Sequence, residues 1–153
     1  MTTPLKEGQA APDFSLTDGD GKVHRLKDYK GKKVLLYFYP RDSTPGCTTE
    51  ACNFAGSQAA YVKHGVAVLG VSTNTAASHA KFATKHNLNF PLLADTEGEV
   101  SRAYGVLKSL APLVKVARRV TFLIDERSKI IKIWDPVSAK IHNDEVLAYL
   151  SQK

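Results

Sequence analysis

Residues 33–52 read KVLLYFYPRDSTPGCTTEAC, and this stretch contains both a strand pattern and a helix start. The run 33–39 is almost entirely apolar or aromatic, which is typical of a strand buried on both faces of a sheet. Pro40 ends that run, and from Thr48 to His64 the apolar residues recur at helical spacing. A buried strand followed closely by a helix predicts an α/β fold.

Strand and helix patterns alternate along the rest of the chain. An Asp-Gly-Asp-Gly turn at 18–21 separates two short alternating segments and predicts an N-terminal β-hairpin. We expect a second buried strand at 66–71, a helix at about 75–85 capped by Asn74, an extended segment at 90–94, a short helix at 97–104, a hairpin of 119–124 with 129–134, and a last helix at 143–150. By analogy of element order, this predicts a thioredoxin-like fold with a central mixed β-sheet flanked by helices, and residues 1–153 forming a single domain.

The composition is that of an ordinary globular chain and excludes several classes of protein. The 153 residues are 43% hydrophobic and 24% charged, and no apolar run approaches the ~20 residues that cross a bilayer. Residues 1–7 lack the apolar segment of a secretory signal, and two cysteines are too few for a disulfide scaffold. We therefore expect a cytoplasmic protein without a membrane partner.

The net charge of +6 makes a basic nucleic-acid-binding module the alternative from a different class. Such a module needs clustered basic residues beside exposed aromatic rings. Here the basic residues are spread along the chain, and the aromatic residues Tyr37, Phe38, Tyr39 and Phe122 lie in predicted core strands. The sequence favours a solvated basic face and no nucleic-acid partner.

Cys47 lies between a buried strand and a helix, at the sheet edge where sites gather in α/β proteins. In a first helical turn, unpaired backbone N–H groups and the helix dipole favour an anion, so a cysteine there tends toward the reactive thiolate. Thr44 can turn its hydroxyl toward the sulfur, and Pro40 and Pro45 stiffen the loop. The alternative, an inert cysteine buried in the core, is disfavoured by this position.

Cys52 is the only other cysteine in the sequence. Five residues along an ideal helix separate two Cα atoms by roughly 8–9 Å and turn them to different sides, beyond the ~7 Å that a disulfide spans. A bond between Cys47 and Cys52 therefore requires the first turn or two of the helix to unwind. From geometry alone, Cys52 could equally be a small residue at the edge of the helix's apolar face.

Other uses of paired cysteines fit the sequence poorly. A zinc site needs two more ligands, and none of the five histidines lies three to five residues from another. A thioredoxin-fold disulfide exchanger, the alternative enzyme, would have C-x-x-C spacing at the helix start. We expect no metal and no cofactor.

The pattern Pro40-x-x-x-Thr44-x-x-Cys47 resembles the active-site signature of the peroxiredoxins, and the continuation CTTEAC resembles the bacterioferritin-comigratory, or Q-type, branch of that family. Three further regions resemble the family in the right order: 11–14, a middle region of 90–95 and 104–106, and 119–125. The resemblance covers nearly the whole chain. It implies a thiol-dependent peroxidase that reduces hydrogen peroxide and organic hydroperoxides.

The resemblance also implies roles for particular residues. Cys47 would be the peroxidatic cysteine, which attacks the O–O bond and becomes a sulfenic acid. Cys52 would be the resolving cysteine, which forms an intramolecular disulfide that thioredoxin or a similar dithiol then reduces. A chain that carries its own resolving cysteine is expected to act as a monomer.

The remaining roles concern the pocket around the sulfur. Thr44 would hydrogen-bond the peroxide and the thiolate through its hydroxyl, and Pro40 would shield the pocket from water. Backbone N–H groups around Gly46 and Cys47 would bind the peroxide oxygens. Arg119 would hold a positive charge beside the thiolate and stabilise the developing oxyanion.

Two side chains, Arg119 and Glu50, can also be judged from strand alternation and helix position, without the resemblance. Arg119 shares a face with Thr121, whereas Arg118 points to the other face. Glu50, three residues after Cys47, is either a helix-start acid that pairs with the backbone or the partner that orients an arginine. The sequence leaves both roles of Glu50 open.

Residues 108–117 depart from the family pattern between its Tyr-Gly-Val and Arg-x-Thr-Phe motifs, and Ser128 replaces a frequent glycine in the last hairpin. We expect residues 108–117 to border the pocket. The resemblance therefore does not determine the preferred peroxide or the docking surface of the reductant.

Overall fold

The computed structural model describes residues 3–152, and within them the chain forms nine strands and five α-helices. In chain order the elements are β1 Ser15–Asp18, β2 Val23–Arg25, β3 Lys33–Phe38, α1 Pro45–Gly56, α2 Gln58–Lys63, β4 Val66–Ser72, α3 Ala76–His86, β5 Leu92–Ala94, α4 Glu99–Ala103, β6 Leu107–Ala111, β7 Val114–Ala117, β8 Val120–Ile124, β9 Ile130–Trp134 and α5 His142–Ser151. A short 3-10 helix, Leu26–Tyr29, follows β2.

Seven of these strands form one mixed sheet in the order β2-β1-β5-β4-β3-β8-β9. Strands β3, β4 and β5 run parallel, while the β1–β2, β1–β5, β3–β8 and β8–β9 pairs are antiparallel. Because β3 lies between β4 and β8 and helices cover the sheet, its residues 34–38 are all buried. This arrangement confirms the predicted mixed sheet flanked by helices and the N-terminal hairpin.

The side chains of β3 alternate between two hydrophobic cores, as expected for a strand covered on both faces. Tyr37 packs with Phe54 of α1 and Val146 of α5 on one face, whereas Phe38 packs with Tyr104 on the other. Burying a side chain such as Phe54 contributes about 1.5–3 kcal/mol to stability. This packing fixes α1 over the carboxyl end of β3.

The helix predicted over 48–64 begins earlier than expected and is divided in two. Thr44 is extended, with φ −85° and ψ 152°, and Pro45 occupies the first helical position of α1. Proline suits that position because its missing N–H would have no partner in the helix and its φ is already helical. The chain breaks at Ser57, so α1 and α2 replace a single longer helix.

The predicted cap of α3 is wrong by one residue. The side chain of Thr75, not Asn74, accepts a hydrogen bond from the Ser78 amide at 3.1 Å. The Asn74 side chain accepts instead from the Asp42 amide at 2.9 Å and from the Ser72 hydroxyl at 2.8 Å. Asn74 is therefore committed to the loop that follows β3, a contact that local spacing does not reveal.

Residues 107–117 form a second, two-stranded sheet of β6 and β7 that the sequence patterns did not predict. Its tip exposes apolar side chains: Leu110 is 58% exposed and Leu113 is fully exposed, with a left-handed φ of 68°. A half-buried strand alternates apolar and polar residues, but here apolar residues also lie on the exposed side. Residues 107–117 therefore lack the alternation that would predict a strand. The hairpin ends directly before Arg118 and Arg119.

Within residues 3–152, no helix has both the length and the apolar character needed to cross a membrane.

Candidate active site

Cys47 is the third residue of α1, and its side chain is almost completely buried, with 1% exposed. Thr44 is the N-cap, and its carbonyl accepts the first helical hydrogen bond from the Thr48 amide at 2.9 Å. The amides of Gly46 and Cys47 precede that bond and belong to the first turn, where helical N–H groups lack partners within the helix. The sulfur therefore lies at the positive end of a helix, inside the protein.

Arg119 lies directly before β8 and reaches the sulfur across the fold. Its Nη2 donates to Cys47 Sγ at 3.3 Å, and its Nη1 donates to Glu50 Oε1 at 2.9 Å. Burial by itself would lower the pKa of Arg119, but the neighbouring Cys47 and Glu50 raise it above its ordinary value. The guanidinium therefore stays charged and holds a positive charge beside the Cys47 sulfur.

The contacts of Arg118 confirm the prediction that Arg118 and Arg119 point to opposite faces. Its guanidinium donates to Asp135 at 2.9 Å and to the carbonyl of Gly105 at 3.3 Å. These partners differ from those of Arg119, because adjacent residues of an extended chain point to opposite faces. Arg118 has a structural contact, and Arg119 alone of the two contacts the cysteine.

Gly46 allows the guanidinium to approach the helix start. A Cβ at this position would lie 3.1 Å from Arg119 Nη2, closer than most side-chain contacts. The absence of a side chain therefore leaves room for Arg119 beside the backbone of the first turn.

Glu50 is the partner that orients Arg119. Its side chain is buried, and its Oε2 has no hydrogen-bond partner among residues 3–152. Burial raises the pKa of Glu50 to about 7, although the charge and hydrogen bond of Arg119 act to lower it. The alternative role as a helix-start acid is wrong, because α1 begins at Pro45 and Glu50 lies in its second turn.

The loop between β3 and α1 holds the other predicted residues. Thr44 Oγ1 donates to the carbonyl of Arg41 at 3.0 Å, so its proton points into the loop and not toward the sulfur as expected. An oxygen that donates this bond still has lone pairs for a second partner. Pro40 is half-buried at the end of β3. The peroxide-related roles of Thr44 and Pro40 stay predictions.

Cys52 lies on the solvent side of the same helix. It is exposed and unbonded, whereas Ala51 and Phe54 of α1 are fully buried. Cys52 is therefore outside the apolar face of α1, in contrast to the alternative considered from spacing alone. The buried Cys47 and the exposed Cys52 are both free thiols in this state.

Two residues that the sequence analysis missed lie close to this site. Tyr37 is fully buried, its hydroxyl has no partner among residues 3–152, and burial followed by the charges of Glu50 and Cys47 raises its pKa. His142 Nε2 lies 2.8 Å from Thr121 Oγ1, and burial, with a smaller effect from Arg119, lowers the pKa of His142 to about 4. The alternation of side chains along β3 could have indicated that Tyr37 lies close to the site, whereas His142 comes close to it only through the packing of α5.

Among residues 3–152, no three side chains of His, Cys, Asp or Glu converge in a way that could hold a metal ion. The chemistry available at this site is that of the Cys47 sulfur, the Arg119 guanidinium and the amides of the helix start.

A buried cysteine at a helix start, with an arginine beside its sulfur, is an arrangement that suits a class of enzyme, the thiol-dependent peroxidases. Comparison with known proteins supports this class. The model of the AhpC/TSA family matches residues 7–133. Peroxiredoxin Bcp of Bacillus subtilis is 44% identical over 149 residues, 95% of each chain, and Peroxiredoxin Bcp of Escherichia coli is 41% identical over 152 residues, 97% of each chain.

Solved structures agree in fold. Peroxidoxin BcpB from Mycobacterium tuberculosis superposes with a TM-score of 0.89 at 35% identity, covering 97% of both chains. Peroxiredoxin Q of Xanthomonas campestris superposes with a TM-score of 0.87 at 34% identity, covering 98% of this chain and 97% of that one. The chain belongs to the AhpC/TSA family, within its bacterioferritin-comigratory, or Q-type, peroxiredoxins. It has the predicted thioredoxin-like fold and is a thiol-dependent peroxidase.

The raised pKa of Glu50 predicts a pH-dependent effect of replacing it. Between the ordinary value of 4.5 and the folded value of about 7, the unfolded chain has lost a proton that the folded chain keeps. The contribution of Glu50 to stability is therefore complete below pH 4.5 and falls by about 3 kcal/mol as the pH rises through 7. Glu50→Gln removes this dependence, so its stability relative to wild type should increase from pH 5 to pH 8.

Urea unfolding of the reduced proteins at pH 5 and pH 8 measures this difference. Glu126→Gln is the matched control, since it removes an exposed carboxylate that only approaches Lys33 at 3.6 Å. If Glu50→Gln and wild type differed in free energy of unfolding by the same amount at both pH values, the raised pKa of Glu50 would be contradicted.

Proposed function

We propose that the chain reduces hydrogen peroxide and organic hydroperoxides at Cys47, with Cys52 as the resolving cysteine and a thioredoxin-like dithiol as the reductant. The observation that carries this proposal is the contact of 3.3 Å between the buried Cys47 sulfur and Arg119 Nη2, at the start of α1. A permanently charged donor beside the sulfur favours the thiolate, which is the nucleophilic form.

In the first step, the Cys47 thiolate attacks one peroxide oxygen and the O–O bond breaks. The sulfur is oxidised to a sulfenic acid, and the other oxygen leaves as hydroxide or alkoxide and takes up a proton. Negative charge moves from the sulfur to the leaving oxygen during this step. Arg119 and the amides of Gly46 and Cys47 can follow that charge, because donors placed at a developing oxyanion stabilise the transition state most strongly.

Thr44 and Pro40 complete the proposed peroxide site. The Thr44 hydroxyl already donates to the Arg41 carbonyl, so its oxygen is available to accept from the protonated peroxide oxygen. Pro40, half-buried at the end of β3, would limit the access of water to the sulfur. Glu50 would act through Arg119, by holding one of its nitrogens while the other faces the sulfur.

In the second step, the Cys52 thiol attacks the sulfenic sulfur, a disulfide forms and water leaves. Both residues belong to α1, with one buried and the other exposed, and the intact helix keeps their Cα atoms too far apart for a bond. The start of α1 must therefore open. Reduction by an external dithiol then regenerates both thiols and oxidises that dithiol to its disulfide.

Substrate range and setting are part of the proposal. A Xanthomonas campestris bacterioferritin comigratory protein, 33% identical to this chain, is described by its alkyl peroxide reduction activity. That description supports organic hydroperoxides as substrates here. We further propose that the chain acts as a monomer, because both cysteines that the cycle needs lie within one chain. A cycle that returns both cysteines to free thiols suits the reducing cytoplasm, which we propose as its location.

Replacing each cysteine separately tests the assignment of the two roles. Cys47→Ser should abolish peroxide consumption with thioredoxin and its reductase, because no other thiolate in the chain has an arginine partner among residues 3–152. Cys52→Ser should consume about one equivalent of peroxide and then stop, with a sulfenic acid that dimedone traps. Full turnover by Cys47→Ser would refute the proposal.

The role of Arg119 is tested by a change that keeps its charge. Lysine cannot contact two partners with a planar pair of donors, so Arg119→Lys should slow sulfenic acid formation at Cys47 by about 100-fold or more, as for loss of an oxyanion donor. Arg118→Lys is the matched control, since Arg118 binds Asp135 and should leave that rate unchanged. Equal rates for the two variants would exclude Arg119 from the reaction.

Opening of α1 is tested by circular dichroism. A Cys47–Cys52 disulfide unwinds the first turn or two of α1, so the far-ultraviolet helix signal should fall on oxidation by one equivalent of peroxide and recover on reduction. Cys52→Ser cannot form the bond and should keep its signal under the same treatment. Unchanged helicity in a protein with a proven intramolecular disulfide would disprove the unwinding.

A further inference from the structure

A second group of polar side chains surrounds the loop between β3 and α1, and the chemistry proposed above does not use it. Asp42 is at its centre. Its Oδ1 accepts from the Tyr39 hydroxyl at 2.6 Å, and its Oδ2 accepts from the Ser78 hydroxyl at 2.7 Å and lies 2.8 Å from His79 Nδ1. The Asp42 and His79 side chains are 3% and 0% exposed.

His79 lies between two hydrogen-bond partners. Its Nε2 is 3.0 Å from the carbonyl oxygen of Leu93, and its Nδ1 is 2.8 Å from Asp42 Oδ2. Burial raises the pKa of Asp42, but hydrogen bonds from His79 and Tyr39 outweigh it, and the pKa is lowered overall. Asp42 and His79 therefore form a buried, hydrogen-bonded His–Asp pair.

This pair joins three separate parts of the fold. Asp42 belongs to the loop after β3, His79 to α3, and Leu93 to β5. The Asp42 amide is held as well, because it donates to Asn74 Oδ1 at 2.9 Å. Both the backbone and the side chain of Asp42 are thus held by residues that lie outside α1.

The residues that follow Asp42 are the ones that need such support. Ser43 has a left-handed φ of 64°, a conformation that a residue with a Cβ adopts only where its surroundings impose it. Thr44 follows as the N-cap of α1, and Cys47 lies in the first turn. The position of the sulfur therefore depends on a strained turn, and the residue before that turn is held by the His79–Asp42 pair.

We propose that Asp42 and His79 are positioning residues for the peroxidase reaction, which hold the strained turn at Ser43 and thereby place Thr44 and the Cys47 sulfur for attack on the peroxide. Neither side chain contacts the sulfur in the described hydrogen bonds, so their effect passes through the backbone of residues 42–47. This inference rests on the proposed role of Cys47.

The chain provides a matched control for a buried His–Asp contact. His24 Nε2 lies 2.7 Å from Asp18 Oδ2, and both side chains are buried in the hairpin of β1 and β2. His24→Gln and His79→Gln therefore remove the same kind of contact from the protein. Only His79 is connected to the loop that leads to Cys47.

The test compares rates of sulfenic acid formation with hydrogen peroxide, in a Cys52→Ser background in which the reaction stops after one turnover. His79→Gln and Asp42→Asn should each lower the second-order rate constant by about 10-fold or more, because small displacements of reacting groups have effects of this size. The double variant should be no slower than the slower single one, since the two residues act as a pair. His24→Gln should keep the rate within about twofold of the Cys52→Ser protein, as expected for a contact outside the site.

Circular dichroism shows which of these proteins are folded at the assay temperature. Should Asp42→Asn and His79→Gln not fold, Ser78→Ala removes one hydrogen bond to Asp42 while keeping the His79–Asp42 contact, and should lower the rate about two- to threefold. A rate for His79→Gln, or for folded Ser78→Ala in its place, equal to that of His24→Gln would overturn the inference. So would additive effects of the two single changes.

The outcome also separates this inference from the proposed function. If the Cys52→Ser protein itself forms no sulfenic acid, the assignment of Cys47 fails and the inference with it. If that protein reacts and the loop variants react equally fast, the assignment stands and only the positioning role of Asp42 and His79 is lost.

Discussion

The guanidinium of Arg119, shared between Cys47 Sγ and Glu50 Oε1, is the interaction on which the rest of the site depends. It brings one positive charge to two acidic groups that are both buried, and burial without that charge would disfavour ionising either one. Burial raises the pKa of Glu50, and the charge and hydrogen bond of Arg119 act to lower it. Gly46 and the start of α1 are shaped to admit this side chain.

In the proposed cycle, the same arrangement would create a conflict. Activation of Cys47 would need an intact helix start, whereas a bond to the exposed Cys52 would need that start to open. The packing of Phe54 and the Arg119 contact favour the closed helix. In that cycle, oxidation of a Cys47 thiolate to the sulfenic acid would remove its negative charge and weaken its attraction to Arg119, which would favour opening of the helix start.

Much of the fold follows from local sequence patterns, because strand and helix periods depend on residues two to four positions apart. The apolar run of β3, the Asp-Gly turn and the helical spacing after Cys47 gave the correct elements and the correct sheet type. The predictions are wrong where contacts between residues distant in sequence determine the local structure. The predicted helix cap at Asn74 is wrong because the hydrogen bond between its side chain and the Asp42 amide is not visible in the sequence. Sequence patterns do not indicate the β6–β7 hairpin because its apolar side chains face solvent.

For the site, the sequence by itself determined that Cys47 lies in the first turn of a helix, that Cys52 cannot reach it in that helix, and which of two arginines shares a face with Thr121. These conclusions need only the geometry of single elements. Tertiary structure alone decided that Glu50 pairs with Arg119 across 69 residues and that His79 meets Asp42. Side chains far apart in sequence meet only through the packing of helices on the sheet, and their charges are set by burial that no local pattern encodes.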